Sequence, residues 1–268
     1  MLIDTHCHLD FPSFDPDRDA VIAHAKEEGI DCIINIGSSL KGSQDSVALA
    51  LKYDSIYATV GLHPHEADDI PADVDKLIES LAKNNKVVAI GEIGLDYYKN
   101  YSKPENQMPL FKALVGVAKK LDLPLVIHSR QAQVDTWKVL KEVMPIRAVI
   151  HCFAGDENFL KSCLDLGFFI SYTCNITYKK AEDLRQLVKI TPLERLMLET
   201  DAPFLPPEGM RGKRNDPSYV KLLAQEVANL KGLSFEEVAK ATTANAMRFF
   251  NLKRTPPFFE GVGYVEEK

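Results

Sequence analysis

Six of the seven histidines in this chain stand where an apolar run gives way to polar residues. LIDTHCHLD carries His6 and His8, GLHPH carries His63 and His65, LVIHSR ends on His128, and VIHCFAG ends on His151. Carboxylates recur in the same position: Glu92 and Asp96 in GEIGLD, Glu199 and Asp201 in LETDAP. Imidazole with carboxylate is a donor set for zinc or manganese, and a carboxylate-rich version also admits magnesium. His6 and His8 are two apart, so on a strand both face one side and can chelate one ion. Glu92, flanked by Gly91 and Gly94, is the natural carboxylate to bridge two ions. Two metals about 3.5–4 Å apart would hold an attacking water and a phosphate or carbonyl oxygen together. Asp201 could ligate one ion and take the water's proton. A histidine after a strand is by itself often structural, and HxH alone is weak evidence; the weight lies in the whole set. Glu199 and Asp201 are two apart, so either could face the pore. Asp96 reads equally as a loop cap, and His65 as a structural residue. His63 reads as a site residue.

Strands must deliver these groups. Eight short apolar runs are spaced along the chain: Leu2 to Asp4, Cys32 to Ile36, Ile56 to Val60, Val87 to Ile90, Pro124 to His128, Ala148 to His151, Phe168 to Tyr172 and Leu196 to Thr200. They read as buried parallel strands. Amphipathic stretches lie between them, among them Arg18 to Glu28. Ser102 with Glu105 predicts a capping box ahead of Met108, Phe111, Leu114, Val115 and Ala118, with Pro109 delaying or kinking that helix. Ser234 with Glu237 predicts a second box, opening a helix toward Phe250. Eight strand–helix units predict a (β/α)8 TIM barrel over residues 1–254, with an extension at 255–268. A doubly wound sheet fits the same alternation, but no GxGxxG or GxxxxGK[ST] follows the first strand. In a barrel, all the strand ends named above converge on one mouth.

At 268 residues and 46% hydrophobic, the chain can bury a large core as one domain. Its net charge of −6 does not advertise nucleic acid, so a polyanionic substrate needs a local basic patch or metal ions, and its binding should weaken with salt. Cys7, Cys32, Cys152, Cys163 and Cys174 form no CxxC pair, which argues for free thiols in a reducing compartment. No signal peptide and no run of roughly 20 apolar residues is evident, so a cytoplasmic protein is expected.

The motifs IDTHCHLD, GLHPH, GEIGLDYY, LPLVIHSR, HCFAG, LETDAP, GKRNDP and TTANAMRFF, in this order, resemble the TatD family of metal-dependent deoxyribonucleases within the amidohydrolase superfamily. The resemblance covers almost the whole chain and implies a TIM barrel. It implies one metal held by His6, His8, Glu92 and Asp201, and a second by Glu92, His128 and His151. It further implies a Mg- or Mn-dependent nuclease, several members being 3′–5′ exonucleases on single-stranded DNA or RNA, with no organic cofactor. Three departures stand out: Gln131 where the family carries an acid, Asp216 where it carries glutamate, and Cys174 where glycine is usual. The last could reshape the pocket.

Arg211, Lys213 and Arg214 lie in GMRGKRNDP, just after the last strand, and Arg130 lies two past His128. Arg130, Arg211, Arg214 and His63 are therefore candidates to hold a phosphate. Tyr97, Tyr98, Phe153 and Phe204 are candidates to stack a base. The expected activity is phosphodiester hydrolysis with Asp201 as general base. The alternatives are a hydrolase of small amides, esters or lactones and a non-catalytic metal or partner-binding protein; open metal positions argue against the latter. A monomer is favoured, and DNA repair or tRNA-end processing are the broader roles such a nuclease would serve.

Overall fold

The computed structural model describes residues 1–99 and 101–252, so the expected extension at 255–268 lies outside the described residues. In chain order the elements are β1 (Leu2–Cys7), α1 (Arg18–Glu27), β2 (Ile30–Ile36), α2 (Leu40–Lys52), β3 (Ile56–Val60), α3 (Val74–Ala82), β4 (Val87–Asp96), α4 (Pro104–Leu121), β5 (Leu125–Arg130), α5 (Gln133–Glu142), β6 (Ala148–Ile150), α6 (Glu157–Asp165), β7 (Phe169–Tyr172), α7 (Glu182–Ile190), β8 (Leu196–Leu198), α8 (Val220–Lys231) and α9 (Phe235–Phe250). Each strand pairs in parallel with the next, in the order β1 to β8 without a crossover. The residues after β8 return to β1: the Asp201 amide donates to the His6 carbonyl at 2.9 Å, and the His8 amide to the Ala202 carbonyl at 2.7 Å. Those bonds bring the sheet round into a TIM barrel. A doubly wound sheet would instead reverse its strand order at a switch point.

Period-two alternation separates two apolar layers. One side chain of each pair points outward to the helices: Leu125 and Ile127, Ala148 and Ile150, Ile170, Leu196 and Leu198. The other fills the barrel: Ile3, Ile34, Val88, Val126, Val149, Phe169 and Met197. The end of α9 joins this inner layer through Ala246, Phe249 and Phe250, with Phe249 edge-on to Phe169 at 5.4 Å. The inner layer is a packed core and not a pore. Counting on by two from Val126, Val149, Phe169 and Met197 gives His128, His151, Ser171 and Glu199, the next layer toward the mouth.

Local signals set two helix starts. Ser234 caps α9: its hydroxyl accepts the Glu237 amide while the Glu237 carboxylate accepts the Ser234 amide. The corresponding expectation for Ser102 and Glu105 is not met. Helix α4 begins at Pro104 with Lys103 as its cap residue and no side-chain capping bond. Pro104 presets the first turn, and the Ser102 hydroxyl is used elsewhere, donating to the His65 carbonyl at 2.5 Å and accepting the Asp68 amide at 3.2 Å. Pro109 lies inside the helix, which continues through it. Among the described residues, no helix is long and apolar enough to cross a membrane.

Candidate metal centre

Strand β4 runs on to Asp96, well past the apolar run that marks its start. Two glycines permit this. A Cβ on Gly91 would lie 2.6 Å from Val126 Cβ, and one on Gly94 only 2.0 Å from the His128 carbonyl oxygen; φ is +157° and +145°. The room these glycines leave is thus taken by β5, which presses against β4 and brings His128 beside Glu92. Glu92 is buried with both oxygens engaged. Its Oε2 faces His6 Nε2 at 3.6 Å and His8 Nε2 at 3.8 Å. Its Oε1 faces His151 Nε2 at 2.8 Å and His128 Nδ1 at 2.9 Å. Asp201 Oδ1 completes the first group, 3.4 Å from His8 Nε2 and 3.7 Å from His6 Nε2.

These are the separations expected of donors sharing an ion, since metal–ligand bonds of roughly 2.1 Å place neighbouring donors about 3 to 3.5 Å apart. Nitrogens also face nitrogens: His6 Nε2 and His8 Nε2 at 3.2 Å, His128 Nδ1 and His151 Nε2 at 3.3 Å. A cation held between them would satisfy both nitrogens of each pair. The residues present therefore fit two divalent ions, one toward His6, His8 and Asp201, the other toward His128 and His151, with Glu92 between.

Electrostatics make the same demand. Burial opposes protonation of His8, yet the hydrogen bond and charge of Asp201 with the charge of Glu92 raise it to about 9. Burial likewise opposes, and Glu92 and Glu199 overcome it, to hold His151 well above the ordinary imidazole range. Against its own desolvation, Glu92 is pulled well below the carboxylate range by His151, His63 and His128. The carboxylates draw positive charge to these nitrogens, which protons or divalent cations would supply.

A surrounding set of hydrogen bonds fixes which nitrogen each imidazole presents. His8 Nδ1 lies 3.1 Å from the Ile36 carbonyl, which leaves Nε2 for the centre. His151 Nδ1 donates to Glu199 Oε1 at 3.1 Å, and the same carboxylate accepts the Cys152 amide at 2.7 Å and the Ser171 hydroxyl at 2.7 Å. Glu199 thus orients His151, and it is Asp201 that faces the centre. Asp201 holds φ +56° three residues past the end of β8, and its side chain is 14% exposed against 5% for Glu92. Asp96 does two jobs: Oδ1 caps the Tyr98 and Lys99 amides, while Oδ2 accepts from His128 Nε2 at 3.2 Å and His65 Nε2 at 3.1 Å. His63 Nδ1 accepts the His65 amide, so its Nε2 carries the hydrogen, 3.6 Å from Glu92 Oε1. Burial drives His63 well below the usual imidazole range, which keeps it neutral. His6 Nδ1 has no hydrogen-bond partner and lies 3.9 Å from Glu199 Oε2.

The six expected ligands are thus brought together, with His63 beside them. The arginines divide. Arg214 does not reach the cluster: its guanidinium grips Asp17 at 2.7 Å twice and the Ser13 carbonyl at 2.6 Å. Arg130 and Arg211 lie over tyrosines, 4.0 Å from the Tyr98 ring centroid and 4.8 Å from the Tyr178 ring centroid. Of the arginines among the described residues, these two donate no hydrogen bond. Of the aromatics, Phe153 is buried and Tyr97 bonds Asp135, while Tyr98 and Phe204 are exposed. Cys174 packs in the layer between sheet and helices, its thiol on the Tyr219 carbonyl, and does not line the mouth. Asp216 caps the Ser218 amide. Two residues without sequence signal brace the loops: Asn35 accepts the Leu9 amide and donates to Asp10, and Asn215 donates to the Thr200 and Phe204 carbonyls.

Known proteins resemble this chain along most of its length. The family described as TatD related DNase matches residues 3–251. The chain is 39% identical to the uncharacterized metal-dependent hydrolase YabD of Bacillus subtilis, over 94% of this chain and all of that protein. It is 38% identical to the 3′-5′ ssDNA/RNA exonuclease TatD of Erwinia tasmaniensis, over 94% of this chain and all of the relative. The crystal structure of YJJV, a TatD homologue from Escherichia coli K12, superimposes with a TM-score of 0.89 at 32% identity, covering 94% of this chain and 98% of that one. The chain belongs to the TatD family and is a metal-dependent hydrolase.

Proposed function

We propose that this enzyme hydrolyses phosphodiester bonds at the 3′ end of single-stranded DNA or RNA. One observation carries the hydrolytic half: Glu92 places one oxygen in each of two donor groups that share it. The free guanidiniums of Arg130 and Arg211 on the rim select phosphate over a neutral amide, ester or lactone, because guanidinium donors match phosphoryl oxygens. The Erwinia relative, described as acting on single-stranded DNA and RNA, supports the same substrate.

Two divalent ions, magnesium or manganese with zinc as the third candidate, would be held by His6, His8, Glu92 and Asp201 and by Glu92, His128 and His151; when bound they polarise the phosphodiester and acidify water. The protein's own groups do the rest. Asp201, more open to solvent than Glu92, accepts the proton of the attacking water. His63 Nε2–H, fixed as a donor by the backbone bond to Nδ1, donates to a phosphoryl oxygen. Arg130 and Arg211 hold the strand's phosphates. Glu199 and Asp96 keep His151 and His128 aimed inward. We assign no role at the phosphate to Arg214, whose donors are spent on Asp17 and Ser13. The five free cysteines suit a cytoplasmic setting.

The test is steady-state kinetics on end-labelled single-stranded oligonucleotides beside a panel of lactones, esters and amides. Asp201→Asn should lower kcat about 10²- to 10⁴-fold, the range for a general base. Faster turnover of a panel member than of any oligonucleotide would move the assignment to a small-molecule hydrolase.

A further inference from the structure

The rim of the centre is not uniform. The strand order places β1 and β8 across the barrel from β4 and β5. On the β4–β5 side stand Arg130 and the tyrosine beneath it. On the β8–β1 side stand two phenylalanines. Phe11 follows β1 with its ring 4.8 Å from that of His8. Phe204 follows β8 with its ring edge-on to Phe11 at 5.6 Å and 6.1 Å from His8.

Phe204 is 48% exposed, yet its backbone is held at both ends. Its amide donates to the Asp201 carbonyl at 2.8 Å, and its carbonyl accepts from Asn215 Nδ2 at 2.6 Å. Asn215 is wholly buried and also holds the Thr200 carbonyl. The turn that carries the ring is therefore anchored beside Asp201, and the ring rests edge-on against Phe11. An aromatic on an anchored turn loses less backbone entropy on binding than one on a mobile loop tip. The other exposed mouth aromatics are partnered: Tyr98 lies under Arg130, and Tyr101 packs against His65 at 4.7 Å.

We propose that Phe204, backed edge-on by Phe11, is the stacking platform for the 3′-terminal base of the substrate strand, while Arg130 holds the strand's backbone on the opposite side of the centre. The assignment rests on the nuclease reading above and adds the direction in which the strand lies. Every base has a π-face, so the platform is tolerant of base identity but requires an unpaired end.

The test uses two single-stranded oligonucleotides of one sequence, the first ending in thymidine, the second in a base-free tetrahydrofuran residue. KM and kcat are measured in Mn²⁺ for the wild type, Phe204→Ala and Phe204→Tyr. For the wild type, removing the terminal base should raise KM about 5- to 100-fold, the range for one stacked base. In Phe204→Ala that penalty should shrink to less than about twofold, and Phe204→Tyr should restore it. The same penalty in wild type and Phe204→Ala, or none in the wild type, overturns the platform while leaving the nuclease intact. Absence of cleavage of either oligonucleotide by the wild type instead removes the nuclease reading. Equilibrium binding of the same pair by fluorescence anisotropy then supports the platform if the wild type prefers the thymidine end and Phe204→Ala does not, and overturns it otherwise.

Discussion

Glu199 decides which nitrogen of His151 faces the centre, because its carboxylate accepts the His151 Nδ1–H. Removing its carboxylate, Glu199→Ala, takes away the one oxygen that accepts both the His151 Nδ1–H and the Cys152 amide. Metal affinity should fall about 10- to 100-fold, as for comparable orienting groups, with the circular dichroism spectrum unchanged. Titration calorimetry with Mn²⁺ checks this; unaltered affinity would reduce Glu199 to a packing residue. At this scale the residue types were legible in the sequence, and the six candidate ligands stood out because imidazole and carboxylate recur at strand ends. The division of labour was not legible. Glu199 and Asp201 are two apart and alternation gives both the same face; only the turn with φ +56° at Asp201 separates them. Asp96 was ambiguous between cap and site because each of its oxygens serves one of those purposes. Arg214 sits in a basic run, and nothing in the run reveals that Asp17, nearly two hundred residues earlier, claims it.

Strand β4 shows how an element can be visible in part. Its apolar start, Val87 to Ile90, reads as a strand, but the glycines that follow hide its continuation to Asp96. Those glycines are demanded by backbone from β5, a contact with no local signature. Gly94→Ala would drive a methyl group to 2.0 Å from the His128 carbonyl in a conformation L-residues avoid. We expect a loss of about 3 kcal/mol or more, seen as a fall in Tm of roughly 6 °C or more, together with weaker metal binding because His128 rides on the displaced strand. A Tm within 2 °C of wild type would show that β4 and β5 are not locked together as described. Strand β1 is longer than its apolar start for a related reason: Thr5, His6 and Cys7 are buried at the mouth, where polar side chains find partners. The capping signal at Ser234 was read correctly because both partners are local. The identical signal at Ser102 failed because its hydroxyl bonds residues of the loop after β3 instead.

Across the whole molecule, the barrel and its mouth were the most legible feature, since eight apolar runs in alternation with helices leave few arrangements. The ties between distant segments were the least. The Arg214–Asp17 pair pins the loop after β8 to the start of α1. The hydrogen bond from Arg214 holds the Asp17 carboxyl below its ordinary range. A depressed carboxyl contributes stability above its ordinary pKa and loses it as pH falls through the folded value. Arg214→Ala should therefore lower Tm at pH 7, and the gap to wild type should close as pH is taken below about 4. A gap that stays constant down to pH 3 would mean that the arginine acts through packing on Phe14 alone. Against a net charge of −6, Arg130 and Arg211, which donate no hydrogen bond among the described residues, are local attractions for a polyanion. The central claim, a phosphodiesterase built on the shared carboxylate of Glu92, is tested most directly by one gel. Single-stranded DNA labelled at its 5′ end is incubated with enzyme in Mg²⁺, Mn²⁺ or EDTA, beside Glu92→Ala that binds oligonucleotide and keeps its fold. The account predicts a ladder shortening from the 3′ end with either metal, absent in EDTA and in the variant. A ladder that survives Glu92→Ala, or intact DNA with a wild-type protein shown to hold two ions, would contradict it.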